Sequence, residues 1–212
     1  MNTSNPLQSS TPSFPELSHR SVIPAVIVAF GLYAPAAFAH DGSGMAGGFA
    51  TGFMHPMAGL DHIVAMVAVG LWGAFLGMPA IWLLPVVFPM VMALGGVLGI
   101  LNIPLMAVET LIAVSAIALG LCVGFRFRPP LAVAAVVTGL FAIFHGYAHG
   151  AELPNAASPI GYSIGFVVAT GLIHLLGISV GFLTKLKRGT ELVRGIGFAI
   201  SVVGALFLFG IL

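Results

Sequence analysis

Six apolar runs, each near the ~20 residues that a membrane crossing needs, succeed one another from residue 56 to the C-terminus. They cover 56–77, 80–100, 104–124, 130–151, 159–183 and 191–211. Polar and helix-breaking positions fall between them: Gly77-Met78-Pro79, Asn102-Ile103-Pro104, Arg126-Phe127-Arg128-Pro129-Pro130, Glu152 to Pro159 and Lys185 to Thr190. Breaks this short make sequence neighbours antiparallel hairpins. The pattern predicts an all-α fold, a polytopic bundle of six transmembrane helices. Glycines four apart (Gly73/Gly77, Gly95/Gly99, Gly120/Gly124, Gly161/Gly165, Gly177/Gly181) predict seams where backbones approach closely.

The first 39 residues read differently. A polar, Ser/Thr/Pro-rich tail ends in His19-Arg20, and an apolar run from Val22 to Phe38 closes on Ala37-Phe38-Ala39. A positive flank, a short apolar core and an A-x-A ending predict a secretory signal cut after Ala39. Residues 40–212 then form the transmembrane domain. The tail is longer than such signals carry, so retention of this segment as an extra helix is the alternative. The Gly-rich stretch Asp41 to Met54 is expected to be flexible and to lie outside the cytoplasm. With the mature N-terminus outside, Arg126, Arg128, Lys185, Lys187, Arg188 and Arg194 all fall on the cytoplasmic side, as the positive-inside rule asks. Both mature termini then face outward from a bacterial inner membrane.

Composition sharpens this. Of the 212 residues 59% are hydrophobic and 6% charged, against roughly 25% charge in soluble domains. A net charge of +1 says nothing about nucleic acid, but there is no basic cluster of the kind a phosphate backbone requires, so no nucleic-acid partner is expected; the lipid bilayer is the expected surrounding. A single cysteine, Cys122, excludes an internal disulfide and any thiolate zinc or iron–sulfur site built from this chain alone.

Against so apolar a background the few ionisable groups carry the chemistry. Charges within membrane helices are costly and mark function by default. The stretch His55-Pro56-Met57-Ala58-Gly59-Leu60-Asp61-His62 opens the first run. With Pro56 at the first helical position, His55 lies at the cap and shares a face with His62 two turns on; Met66 follows a turn later. On the fourth run His145, His149 and Glu152, spaced i, i+4, i+7, form one stripe. Glu109 lies about one turn into the third run at the same expected depth. Imidazole with carboxylate is a donor set for first-row divalent cations, whereas calcium and magnesium want more oxygens. Met66, His174 near the midplane and His40 at the new N-terminus are candidates for a pathway. No G-x-x-x-x-G-K-[ST] motif is present, so the chain does not itself hydrolyse ATP. The expectation is a secondary transporter and not an enzyme, with no permanent cofactor and a divalent metal ion as cargo.

The same residues admit two other readings. Histidines on separate helices could hold haem by bis-His ligation, although haem has no need of Asp61, Glu109 and Glu152 beside its axial ligands. Gly161-Tyr162-Ser163-Ile164-Gly165 matches G-x-S-x-G, but it lies in an apolar helical run without the preceding strand of a nucleophile elbow, and reads as a packing motif.

The motif His55-Pro56-x-x-Gly59-x-Asp61-His62, followed by Ala65-Met66, resembles the signature of the HupE/UreJ family of nickel permeases. Phe144-His145-Gly146-x-Ala148-His149-Gly150-x-Glu152 resembles that family's second motif. The likeness spans nearly the whole mature chain. It implies a secondary permease for nickel, or cobalt, serving hydrogenase or urease maturation. It also implies metal roles for His55, Asp61, His62, Glu109, His145, His149 and Glu152.

Overall fold

The computed structural model describes residues 44–152 and 158–212; the expected signal segment, its cleavage point and His40 lie outside the described residues. The chain forms α1 (Gly44–Ala58), α2 (Leu60–Leu76), α3 (Ala80–Ile100), α4 (Val108–Gly124), α5 (Leu131–Ala151), α6 (Pro159–Gly181), a 3-10 turn (Phe182–Lys185) and α7 (Gly189–Leu208). There is no strand among the described residues. The all-α expectation holds.

Four helical stretches are long and apolar enough to cross a membrane: α3, α5, α6 with its 3-10 extension, and α7. The pair α1 and α2 makes a fifth candidate only as a broken span, bent by 84°. The apolar helix α4 is shorter, with 17 residues. It begins at Val108 rather than at 104 because Ile103, Pro104 and Leu105 are not helical. Length and composition thus mark four to five crossings where six were expected.

The largest departures from the sequence pattern lie at the first span. The Gly-rich stretch expected to be flexible is helical from Gly44 onward. Pro56 sits in the last turn of that helix, not in the first turn of the next. The chain breaks at Gly59, whose backbone is extended, so His55 and His62 belong to different helices and share no helical face.

Glycine seams hold the bundle. On α3 a methyl group at Gly95 would strike the Ile143 carbonyl, and one at Gly99 the Tyr147 carbonyl; on α5, Gly146 and Gly150 press on the backbones of Met92 and Gly96. Gly120 and Gly124 of α4 meet Gly197 of α7, Gly161 and Gly165 of α6 meet Met45 and Phe49 of α1, and Gly177 of α6 meets Gly70 of α2. Backbone contact of this kind supplies the dispersion that associates helices where lipid is as apolar as the side chains. Four of the five expected pairs work this way. In the fifth, Gly73 packs on Ala80 while Gly77 ends α2 in the left-handed region at φ +82 with open space around it.

The outer surface is apolar. Val86, Met90, Leu94 and Val97 run along one side of α3, each more than half exposed, a continuous apolar stripe of the kind soluble monomers rarely leave to water. Two ends of the bundle differ sharply in chemistry. At one end Trp72 Nε1 donates to the Phe127 carbonyl (3.0 Å) and Arg194 Nε to the Gly124 carbonyl (2.9 Å). The Arg126 and Arg128 guanidinium groups lie over the Phe75 ring there, at 5.7 and 4.7 Å. The other end, where α1 stops, α2 and α6 start and α5 finishes, holds His55, His62, His145 and His149.

Candidate metal centre

The break at Gly59 brings the two halves of the first motif to one place from different directions. His55 rides the last turn of α1 and Asp61 and His62 the first turn of α2. α5 meets them with its i, i+4, i+7 stripe. His149 is the hub: its ring centroid is 4.9 Å from that of His55 and 4.4 Å from that of His62, and His62 lies 4.9 Å from His145. Four imidazoles from three helices therefore touch in sequence, His55, His149, His62, His145.

At the mouth of this column Glu152 Oε2 is 3.5 Å from His55 Nε2. Two ligands held at ~2.1 Å on a tetrahedral ion sit about 3.4 Å apart, so this spacing suits shared ligation. His55, His149 and Glu152 each offer a ligand atom, all within 4.8 Å of one another. The Glu152 side chain is 64% exposed, which leaves the trio accessible, while His149 is 7% exposed and His145 fully buried.

Asp61 does something other than point at the trio. Its Oδ1 accepts the Nδ1–H of His62 at 2.9 Å. A neutral imidazole that donates from Nδ1 keeps its lone pair on Nε2, and His62 Nε2 is buried with no hydrogen-bond partner among the described residues. A carboxylate behind a histidine is the usual support of a metal-ligating imidazole. Gly59 makes room for it: a Cβ there would lie 2.7 Å from Asp61 Oδ1 and 3.0 Å from His62 Nδ1. The Gly59 backbone (φ −98, ψ 113) suits any residue, so the constraint is space alone. Gly59→Ala is expected to leave the fold intact and displace the Asp61–His62 pair, lowering divalent-metal affinity about tenfold or more. Metal titration beside a thermal melt checks this.

Other residues named from sequence fall outside the column. Glu109, exposed in the first turn of α4, shares the depth but has no hydrogen bond or ion pair with the histidines among the described residues. Met66 is fully buried one turn below His62. His174, 1% exposed, has both ring nitrogens unpartnered among the described residues and borders an apolar cleft of ≈ 300 Å³ between α3 and α6. Ser163 is exposed on α6 and donates its hydroxyl to the Pro159 carbonyl at 2.8 Å, a helix back-bond.

Two residues escaped the sequence reading. Phe88 of α3, fully buried, has its ring 5.4 Å from both His145 and His174 and so stands between the column and His174. Ser115 of α4 lies 2.8 Å from His145 Nε2. An aromatic and a lone hydroxyl inside apolar runs carry no distinguishing pattern; only the packing of α3 and α4 against α5 shows them.

Comparison with known proteins agrees with the motifs. The family model described as HupE / UreJ protein matches residues 28–207. The curated Protein HupE of Rhizobium leguminosarum bv. viciae is 48% identical over 165 residues, covering 78% of this chain and 86% of that protein. No solved structure matches. With both of its motifs converging on one histidine column and nearly its whole length aligned, the chain belongs to the HupE/UreJ family.

Proposed function

We propose that the protein is a secondary permease that moves a divalent transition-metal ion, nickel or cobalt, across the inner membrane for hydrogenase or urease maturation. One observation carries the reading. Buried nitrogens of His62, His145 and His149 have no hydrogen-bond partner among the described residues, beside a His55–His149–Glu152 trio of ligand spacing. A buried polar atom left unmade costs about 1–3 kcal/mol, an expense that a fold keeps where a ligand completes the bonds. Family membership supports the same cargo.

In this reading the trio receives the ion at the surface and His62 and His145 take it deeper. Asp61 holds His62 in the ligating tautomer, and Glu109 serves as an acid at the same face. Beyond His145 the route toward Met66 and His174 passes Phe88. The same reading has the positive end at Arg126, Arg128 and Arg194 facing the cytoplasm, as the positive-inside rule asks, with the histidine column on the outer side and both mature termini outside after removal of residues 1–39. α4 supplies the sixth crossing. Binding must be strong enough to capture and weak enough to release, in keeping with few protein ligands and waters completing the shell. The same reading assigns the protein transport without a chemical reaction, as a carrier rather than an enzyme, and gives it no permanent cofactor. The haem alternative fares worse: imidazoles in edge contact leave no slot for a flat macrocycle between them.

The test is radioactive nickel uptake at low external metal, with cobalt and zinc as competitors, in wild type and in His55→Ala and His62→Ala. Loss in both variants is expected; undiminished uptake in both defeats the assignment. Imidazoles ligate only when neutral, so metal binding is expected to fall as the pH drops below about 6. Metal titration at a series of pH values from 7.5 downward checks this.

A further inference from the structure

Ser115 sits two turns into α4, fully buried. Its Oγ has two short contacts, 2.6 Å to the Ile112 carbonyl oxygen and 2.8 Å to His145 Nε2. Two oxygens at the first distance must share a proton, and only the hydroxyl has one to give. The single donor of Ser115 is therefore spent on Ile112. Its contact with His145 then works only in the other direction, Nε2–H donating to the Oγ lone pair; an unprotonated Nε2 would face oxygen lone pairs across 2.8 Å.

A neutral imidazole has one N–H. With that proton on Nε2, Nδ1 of His145 carries the lone pair, and it is buried without a hydrogen-bond partner among the described residues. Protonating it as well would bury an N–H with nothing to accept it. A serine in a membrane helix commonly back-bonds to its own helix and needs no second partner; the His145 contact is the additional fact. His145 also stands edge-on to His62, at 89°, and His62 is fixed by Asp61 in the opposite tautomer.

We propose that Ser115 is a positioning residue that fixes His145 as the Nε2–H tautomer, so that His145 offers the metal ion Nδ1 while His62 offers Nε2. This rests on the permease reading for the ion, but the tautomer itself is a property of the metal-free protein.

The experiment uses the full chain in lipid nanodiscs with 15N-labelled histidine. His145 is assigned by the signal lost in His145→Asn. Metal-free wild type at neutral pH is expected to show a protonated Nε2 and a bare Nδ1 at His145. Ser115→Ala, which removes one oxygen from a packed site, is expected to abolish that preference and to weaken nickel binding about ten- to a hundredfold; Ser115→Thr, which keeps the hydroxyl, is expected to restore both. A proton on Nδ1 in the wild type overturns the proposal, as does an unchanged tautomer in Ser115→Ala. A changed tautomer with unaltered nickel affinity also overturns the positioning role. Wild type that shows the expected tautomer but binds neither nickel nor cobalt overturns the permease reading instead, and the role of Ser115 in ligation with it.

Discussion

His149→Leu is expected to make the metal-free protein more stable and to abolish nickel uptake. Neither ring nitrogen of His149 has a hydrogen-bond partner among the described residues, and its ring packs edge-on to Phe166 at 4.5 Å. Leucine therefore breaks no hydrogen bond and removes two unmet polar atoms, for a gain of about 1 kcal/mol or more. The same change deletes the hub that joins the surface trio to the deeper imidazoles. Nickel should invert the order of the melts. Wild type gains about 2.7 kcal/mol at a hundredfold excess of metal over its Kd, while the variant gains almost none. Thermal unfolding with and without nickel checks both halves. A variant that melts lower without metal shows that His149 supports the fold instead of a ligand.

Gly146→Val is expected to fail in the opposite way, losing stability and binding together. The residue follows His145 on α5, and a side chain there would run into the Met92 carbonyl at the centre of the α3–α5 seam. The obstacle is backbone, which cannot swing aside as a flexible side chain can. Overpacking typically costs 1–3 kcal/mol, and relief requires α5 to move off α3. That motion would carry His145, His149 and Glu152 away from α1 and α2. The expected result is a melt lowered with and without metal, and nickel affinity reduced by more than tenfold. Gly195, which has open space around it, serves as the control: Gly195→Ala should change neither.

Glycine marks both what the sequence could convey and what it could not. Spacing of four identified Gly95/Gly99 and Gly177/Gly181 as seam residues, because close helix approach needs small side chains at that interval. The same composition misled at Gly44–Ala58. Glycine disfavours helix in water by about 1 kcal/mol per residue, so a run containing Gly44, Gly47, Gly48 and Gly52 reads as flexible. In the fold Gly48 and Gly52 lie against the Ser158 and Tyr162 backbones, and this packing outweighs intrinsic preference.

The candidate site divides along similar lines. Depth was legible, since counting residues from a helix end gives height along the membrane normal, and His55, His62, His145, His149 and Glu152 do meet. Direction around the bundle was not. Glu109 shares the height and stays apart, because which side of α4 faces α5 depends on contacts far away in the sequence. Pro56 read as a helix start since it suits a first turn, whereas the interruption falls three residues later at Gly59. Ser115 and Phe88 were invisible for want of any pattern, being one hydroxyl and one ring among many apolar neighbours.

The discontinuity between Ala58 and Leu60 has a bearing on solvent as well. Where a helix stops, its terminal carbonyl oxygens lose their intrahelical donors, and acyl chains offer no replacement. Interrupted main chain at membrane depth is tolerated only when it borders protein or a wetted interior. The corner at Gly59 therefore cannot be turned toward hydrocarbon. Quite apart from any side chain, the path of the backbone requires this corner to border protein or water and keeps it away from lipid.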